Sequence, residues 1–205
     1  MTTKYDILII GAGVIGSAVA RELSRYDLKI CVLEKNPDVC CETSGRNSAV
    51  IHGGFAYEIG TKKAECCIEG CLEFDKIAEE LDVPFKRTGK VLVGSTREDH
   101  ESLQKTIEIG RANGSIGLEL IDKNRLLELV PTVIGEFAMF SPKSGIVDPF
   151  QYNIALAENA KKNGVDFYFE HEVVNIYRKT DEYWLIRTIQ GDFETRWVVN
   201  CAGLG

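Results

Sequence analysis

The sequence has no long apolar run. Its strongest N-terminal stretch, Ile7 to Ile10, is four residues long, whereas a membrane-crossing helix needs roughly 20, and no secretory cleavage pattern follows it. No transmembrane segment is expected, and the chain reads as cytoplasmic. An excess of positive charge is also missing. The 24 Lys and Arg stand against 31 Asp and Glu, a net charge of -7, which argues against the basic footprint of a nucleic-acid partner. The seven cysteines contain no Cys-x-x-Cys pair. Their odd number, with neighbours Cys40-Cys41 and Cys66-Cys67, points to reduced thiols rather than a disulfide framework. The spacing of Cys67 and Cys71 reads as small core thiols on a helix face, so no metal is expected. Internal repeats and low-complexity tracts are absent as well.

What is present is ordinary for a globular protein: 205 residues, 44% hydrophobic and 27% charged. A chain of this size folds as one large domain or one with a smaller companion, and buries about 70% of its unfolded surface. Tyr5 to Ile10 is apolar almost without a break, as in a strand covered on both faces of a parallel sheet. From Val14 the apolar residues Ile15, Val19 and Leu23 recur every fourth position, an amphipathic helix, and a second buried strand follows at Lys29 to Leu33. This is a βαβ unit. Asn36 to Tyr57 reads as a long ordered loop with a short strand at Ala49 to His52, and long loops in compact domains are usually functional.

Further on, helices are expected over Lys62 to Leu81, Glu98 to Asn113, Asp122 to Leu129 with Asp122 as N-cap, and Phe150 to Asn163. Strands are expected at Lys90 to Gly94, Phe137 to Phe140, Asp166 to Phe169, Val173 to Arg178, Trp184 to Thr188 and Trp197 to Asn200.

The chemistry-bearing motif is Gly11-Ala12-Gly13-Val14-Ile15-Gly16, a GxGxxG set between the first strand and the first helix. There, Gly11 serves a tight turn, Gly13 lets backbone approach a pyrophosphate, and Gly16 serves helix-strand packing. The helix N-terminus offers free N–H groups and a partial positive charge. Glu34 stands 23 residues after Gly11 at the end of the second strand, placed to accept a ribose 2′-hydroxyl. An adenosine lacking a 2′-phosphate is implied. The fingerprint leaves NAD and FAD open. The loop Thr43-Ser44-Gly45-Arg46-Asn47-Ser48 alternates hydroxyls, an amide and a guanidinium, suited to the second half of a phosphate-bearing cofactor. His52-Gly53-Gly54 sets an imidazole beside backbone that a flat ring could approach.

These motifs in this order resemble the D-amino-acid-oxidase-like superfamily of FAD-dependent oxidoreductases. Within it the chain looks most like bacterial FAD-dependent glycerol-3-phosphate dehydrogenases of the anaerobic type and the L-2-hydroxyglutarate oxidases near them. Lys63-Ala64 with Glu69-Gly70, Val83 to Lys90, Gly145 to Pro149 and Val199 to Gly203 add to the likeness, which runs the whole chain. The resemblance implies an α/β, Rossmann-like FAD-binding domain with a partial α+β substrate domain inserted. Residues 1–80 and 143–205 would form the first and 81–142 the second. It implies that Gly11, Gly13, Gly16 and Glu34, with Val14, Ile15 and Lys35 beside them, hold the ADP half of FAD. Ser44, Arg46, Asn47 and Ser48 would follow the pyrophosphate and ribityl chain, His52, Gly53 and Gly54 would approach the flavin ring, and Val173, Ala202 and Gly203 would complete the contact set.

Two departures stand out. The family continues beyond the position of Gly205 through more substrate domain and a second glycine-rich FAD segment, so the chain resembles an N-terminal fragment, inactive by itself. Aerobic glycerol-3-phosphate dehydrogenases tend to carry an Arg soon after His-Gly-Gly, where this chain has Phe55-Ala56-Tyr57. The expected reaction is oxidation of sn-glycerol 3-phosphate to dihydroxyacetone phosphate. Its rivals are oxidation of L-2-hydroxyglutarate or another 2-hydroxy or amino acid, and a cofactor-binding module without activity. An NAD enzyme is disfavoured by the Thr43 to Gly54 loop. The partners are a small anionic hydroxylated substrate and a quinone, oxygen or redox protein as acceptor. His52 is the candidate catalytic residue, as base or flavin-tuning group, with a histidine satisfied by backbone as the alternative. His100 and His171 read as surface residues. Arg87 and Lys90 read as solvated strand-edge positions, or as groups reaching an anionic substrate.

Overall fold

The computed structural model describes residues 3–204. In chain order the elements begin with β1 (Thr3–Ile10), α1 (Val14–Leu23), β2 (Ile30–Leu33), β3 (Val50–Ile51), α2 (Lys62–Glu80), β4 (Phe85–Lys86) and β5 (Lys90–Gly94). Next come α3 (Arg97–Asn113), β6 (Glu119–Asp122), α4 (Lys123–Leu129), β7 (Phe137–Ser141) and β8 (Gly145–Val147). The chain continues with α5 (Pro149–Lys162), β9 (Asp166–Tyr168), β10 (Val173–Arg178), β11 (Trp184–Thr188) and β12 (Asp192–Asn200). They divide into two compact units, Met1–Ser48 with Leu81–Val83 and Asp148–Gly205, and Ala49–Glu80 with Pro84–Val147.

The first unit is built on a six-stranded sheet in the order β10-β11-β12-β1-β2-β9. The β1 strand is parallel to both β12 and β2, with Ile9 opposite Val199 and Val32. Flanked on both sides and covered on both faces, it has no polar residue at Leu8, Ile9 or Ile10. Ile9, Ala20, Ile30, Val32, Ala157 and Ala160 form one buried cluster; Tyr5, Leu8, Cys31, Leu33, Ile186 and Phe193 form another. The apolar stripe expected on α1 is corrected in part: Gly16, Ser17, Ala20 and Arg21 are its buried residues, and Ile15 is 63% exposed. Small side chains there let α1 pack close. Asp148 caps α5, accepting the Phe150 and Gln151 N–H groups, and Pro149 occupies the first turn, where its missing N–H costs nothing.

The second unit holds two three-stranded sheets, β3-β8-β4 and β5-β7-β6. Phe55, Leu103, Ile107, Leu118 and Met139 are its main buried cluster. Helix α3 opens with a capping box, Thr96 and Asp99 exchanging side-chain-to-backbone hydrogen bonds, and closes at Gly114 in the left-handed region. Asp122 caps α4. The units do not follow the expected boundaries at 80 and 143. Strand β3 pairs with β8, and Ser115 bonds to Gly53, which ties residues 49–80 to the second unit.

Three short strands, β4, β6 and β8, were not expected, and β12 starts at Asp192 rather than Trp197. His100 and His171 are half-buried rather than surface residues, His100 edge-on to Phe137 and His171 against Tyr168 and Phe193. Arg87 is not a solvated strand position. It lies beyond β4, holds Asp75 at 2.6 Å and donates to the Cys71 carbonyl. Among the described residues no helix is long and apolar enough to cross a membrane.

Candidate functional site

In the first unit, the ends of β1, β2 and β12 open onto a cavity of about 700 Å³, within the usual range for small-molecule sites. The glycine turn forms its floor. Gly11 takes φ +99°, and a side chain there would stand 2.6 Å from the Cys201 carbonyl oxygen. Cys201 N–H donates to Ile10 O at 2.8 Å, which seats the Asn200-Cys201-Ala202-Gly203 turn against that glycine. Gly16 does not line the cavity. A Cβ on it would fall 1.9 Å from the Gly11 carbonyl oxygen, so it is glycine for packing. Ser44 Oγ accepts the Val14 N–H at 2.9 Å, while the Gly13 and Ile15 N–H groups make no hydrogen bond among the described residues. These two donors stand at the positive end of α1.

Glu34 is 8% exposed and lines the same cavity. Its carboxylate accepts the Ala12 N–H at 2.8 Å and both the backbone N–H and side-chain amide of Asn36 at 2.9 Å. A carboxylate has about four acceptor positions, so three accepted bonds leave one unused. Backbone bonds from Glu34 to Tyr168 and from His171 to Glu34 bring Glu172 and Val173 to its rim.

Of the residues singled out in the sequence, Gly11, Gly13, Val14, Ile15, Glu34, Lys35, Ser44, Asn47, Val173, Ala202 and Gly203 line the cavity. Arg46 and Ser48 do not. Arg46 is exposed and pairs with Glu42 at 3.7 Å; Lys35 reaches the same carboxylate at 3.6 Å. Such exposed pairs contribute at most about 1 kcal/mol, so either cation can turn to an anionic ligand. Sequence reasoning passed over Asn36, Cys40, Cys41, Glu42, Glu172 and Leu204 in the lining, while Thr43, named only as part of its loop, also lines it. Asn36 alone carried a signal, two positions beyond the acidic residue that it braces.

His52, Gly53 and Gly54 belong to the second unit. Gly53 O accepts from Ser115 Oγ at 2.7 Å. A side chain at Gly53 would meet Ser141, and one at Gly54, where φ is +76°, would meet Ile68. Both glycines are therefore demanded by packing within their own unit. His52 is exposed, and its ring makes no hydrogen bond among the described residues, so it is not a histidine satisfied by backbone. Burial of part of the ring, then the charges of Lys90 and Lys63, hold its pKa below the usual histidine value.

A turn-and-helix anion site joined to a buried carboxylate at the end of β2 defines a dinucleotide-binding fold. Residues 6–205 match the family model described as FAD dependent oxidoreductase, and the chain belongs to that family. FAD is the family's cofactor. The chain is 41% identical over 202 residues to a glycerol 3-phosphate dehydrogenase from Caloramator mitchellensis, covering 98% of this chain and 42% of that protein. It is 34% identical to a mitochondrial L-2-hydroxyglutarate dehydrogenase from Caenorhabditis elegans, covering 98% and 48%. Among solved structures it resembles dithionite-reduced L-alpha-glycerophosphate oxidase from Mycoplasma pneumoniae with FAD bound, at TM-score 0.89 and 28% identity, covering 96% of this chain and 53% of that one. The chain thus spans under half the length of these two curated relatives. The residues present fit an ADP moiety: two free N–H donors for phosphate, an open carboxylate acceptor for ribose and a cavity of suitable volume.

Proposed function

We propose that this chain forms the FAD-binding part of a dehydrogenase that oxidises sn-glycerol 3-phosphate to dihydroxyacetone phosphate. The observation that carries the reading is the cavity where the Gly13 and Ile15 N–H groups and the Glu34 carboxylate converge, in a chain 41% identical to a glycerol 3-phosphate dehydrogenase. The Gly11 to Gly16 turn holds the pyrophosphate and Glu34 the adenosine ribose. Val173, Ala202 and Gly203 close over the nucleotide, while Ser44, Arg46, Asn47 and Ser48 follow the remaining chain of the cofactor. The His52 to Gly54 turn serves the flavin ring. When bound, the flavin would supply the redox chemistry of that oxidation. His52, whose pKa is lowered by partial burial and then by the charges of Lys90 and Lys63, accepts the C2 hydroxyl proton. The electron acceptor would be a quinone, oxygen or a redox protein. The unpaired cysteines support a cytoplasmic setting.

A second reading, oxidation of L-2-hydroxyglutarate, is favoured by the 34% identical relatives and by Phe55-Ala56-Tyr57 following the glycines. The test is a titration of the protein with FAD, followed by flavin fluorescence, with NAD as competitor. Anaerobic addition of each substrate to the loaded protein comes next. Saturable FAD binding that NAD leaves intact is expected of this chain, and flavin bleaching by glycerol 3-phosphate of the whole dehydrogenase of which it forms part. Bleaching by L-2-hydroxyglutarate alone would replace the substrate; displacement of FAD by NAD would end the flavin reading.

A further inference from the structure

We propose that Lys63 and Lys90 form, beside His52, a subsite for a dianionic phosphate group, holding the phosphomonoester end of the substrate between two ammonium ions. This rests on the reading of His52 as proton acceptor. Lys63 lies in the first turn of α2 and Lys90 opens β5. Both are exposed, and neither has a carboxylate partner among the described residues, whereas the adjacent Lys62 is neutralised by Glu65 at 2.5 Å. Lys63 Nζ stands 4.7 Å from the Tyr57 ring centre and Lys90 Nζ 5.9 Å from that of Phe55. Both rings belong to the loop that leaves His52. An aromatic face attracts an ammonium without cancelling its charge, so the loop gathers two cations and keeps both available.

The charged groups that act on His52 are these two lysines, Lys90 from β5 and Lys63 from α2, and no carboxylate is among them. Cys67, also on α2, donates its thiol to the His52 carbonyl oxygen, and burial raises its pKa, so it adds no negative charge. The lone positive field beside a neutral imidazole is a feature that folding alone does not require. Charge matching selects the ligand. A phosphomonoester carries about -1.5 to -2 at pH 7, matching two lysines, whereas one carboxylate leaves a positive charge unmet.

The experiment is an NMR titration of the His52 ring protons, assigned with His52→Gln, in the presence of inorganic phosphate or of acetate at equal ionic strength. Phosphate is expected to raise the His52 pKa and acetate to move it much less. In Lys63→Met/Lys90→Met, His52 should titrate higher without any anion, and apparent phosphate affinity should fall about tenfold or more per lysine. Unchanged His100 and His171 signals would show the variant folded. Lys105→Met, an exposed lysine of α3, controls for general surface charge. The subsite is overturned if phosphate leaves His52 unmoved, if acetate shifts it as far, or if Lys105→Met acts like the double variant. FAD affinity, measured on the unaltered chain and the lysine variants, tests the flavin reading separately and should be equal in these.

Discussion

Glu34 does two jobs with one carboxylate: it closes the buried Ala12 N–H and it faces the cavity. Glu34→Ala should therefore weaken FAD binding by at least about tenfold and also cost about 1–3 kcal/mol of stability, the usual result of orphaning a buried donor. Fluorescence titration and urea unfolding read the two effects apart, and unchanged affinity would remove Glu34 from the nucleotide site. Gly16→Ala tests packing alone. Its Cβ would collide with the Gly11 carbonyl oxygen at 1.9 Å, so a loss of about 3 kcal/mol is expected. His52 supplies the pH dependence. Because its folded pKa lies below the usual histidine value of 6.5, the folded state binds fewer protons, and the stability it contributes is present above that value. It is lost as pH falls through the lowered pKa. The acid limb of flavin reduction should likewise fall below the ordinary histidine midpoint and vanish in His52→Gln. An acid limb at or above that midpoint would assign the proton transfer elsewhere.

At the scale of elements, legibility followed periodicity. The βαβ core was readable because β1 ends in the apolar run Ile7 to Ile10, β2 is apolar throughout, and a glycine turn separates β1 from α1. The first half of β12 was not, because Asp192, Glu194 and Arg196 look like loop. There Glu194 is only 5% exposed, and Lys179 and Lys4 pair with it. No local pattern announces partners so far away in sequence. The same limit hid the brace behind the glycine turn. Asn153, wholly buried on α5, donates to Ala12 O at 3.2 Å and to Ser17 Oγ at 2.9 Å. Asn153→Ala should cost about 1–3 kcal/mol and loosen FAD binding, although no atom of Asn153 lines the cavity. Urea unfolding and fluorescence titration check both. Full FAD affinity in a destabilised variant would reduce the residue to a stability role.

At the scale of the molecule, the first unit draws its strands from both ends of the chain and the second is inserted between them. The family resemblance implied a switch near residue 80, which α2 could not contradict because a helix reads alike whatever it packs on; the bond from Ser115 to Gly53 and the β3-β8 pair gather residues 49–80 into the second compact unit. That division makes hydrogen exchange a discriminating measurement, since ligand binding stabilises whatever folds around the ligand, by about 2.7 kcal/mol at a hundredfold excess over Kd. FAD should protect the Gly11 to Gly16 turn, Glu34 to Asn36, Thr43 to Asn47 and Cys201 to Leu204. Amides of α3 and α4, far along the chain from any cofactor motif, should exchange as before. The His52 to Gly54 amides decide the remaining question. Their protection by FAD, but not by ADP alone, would assign that turn to the riboflavin half of the cofactor, because ADP lacks both the ribityl chain and the ring. Protection of the first unit by both ligands alike, with His52 to Gly54 unaffected, would leave an adenosine site and withdraw the catalytic role of His52.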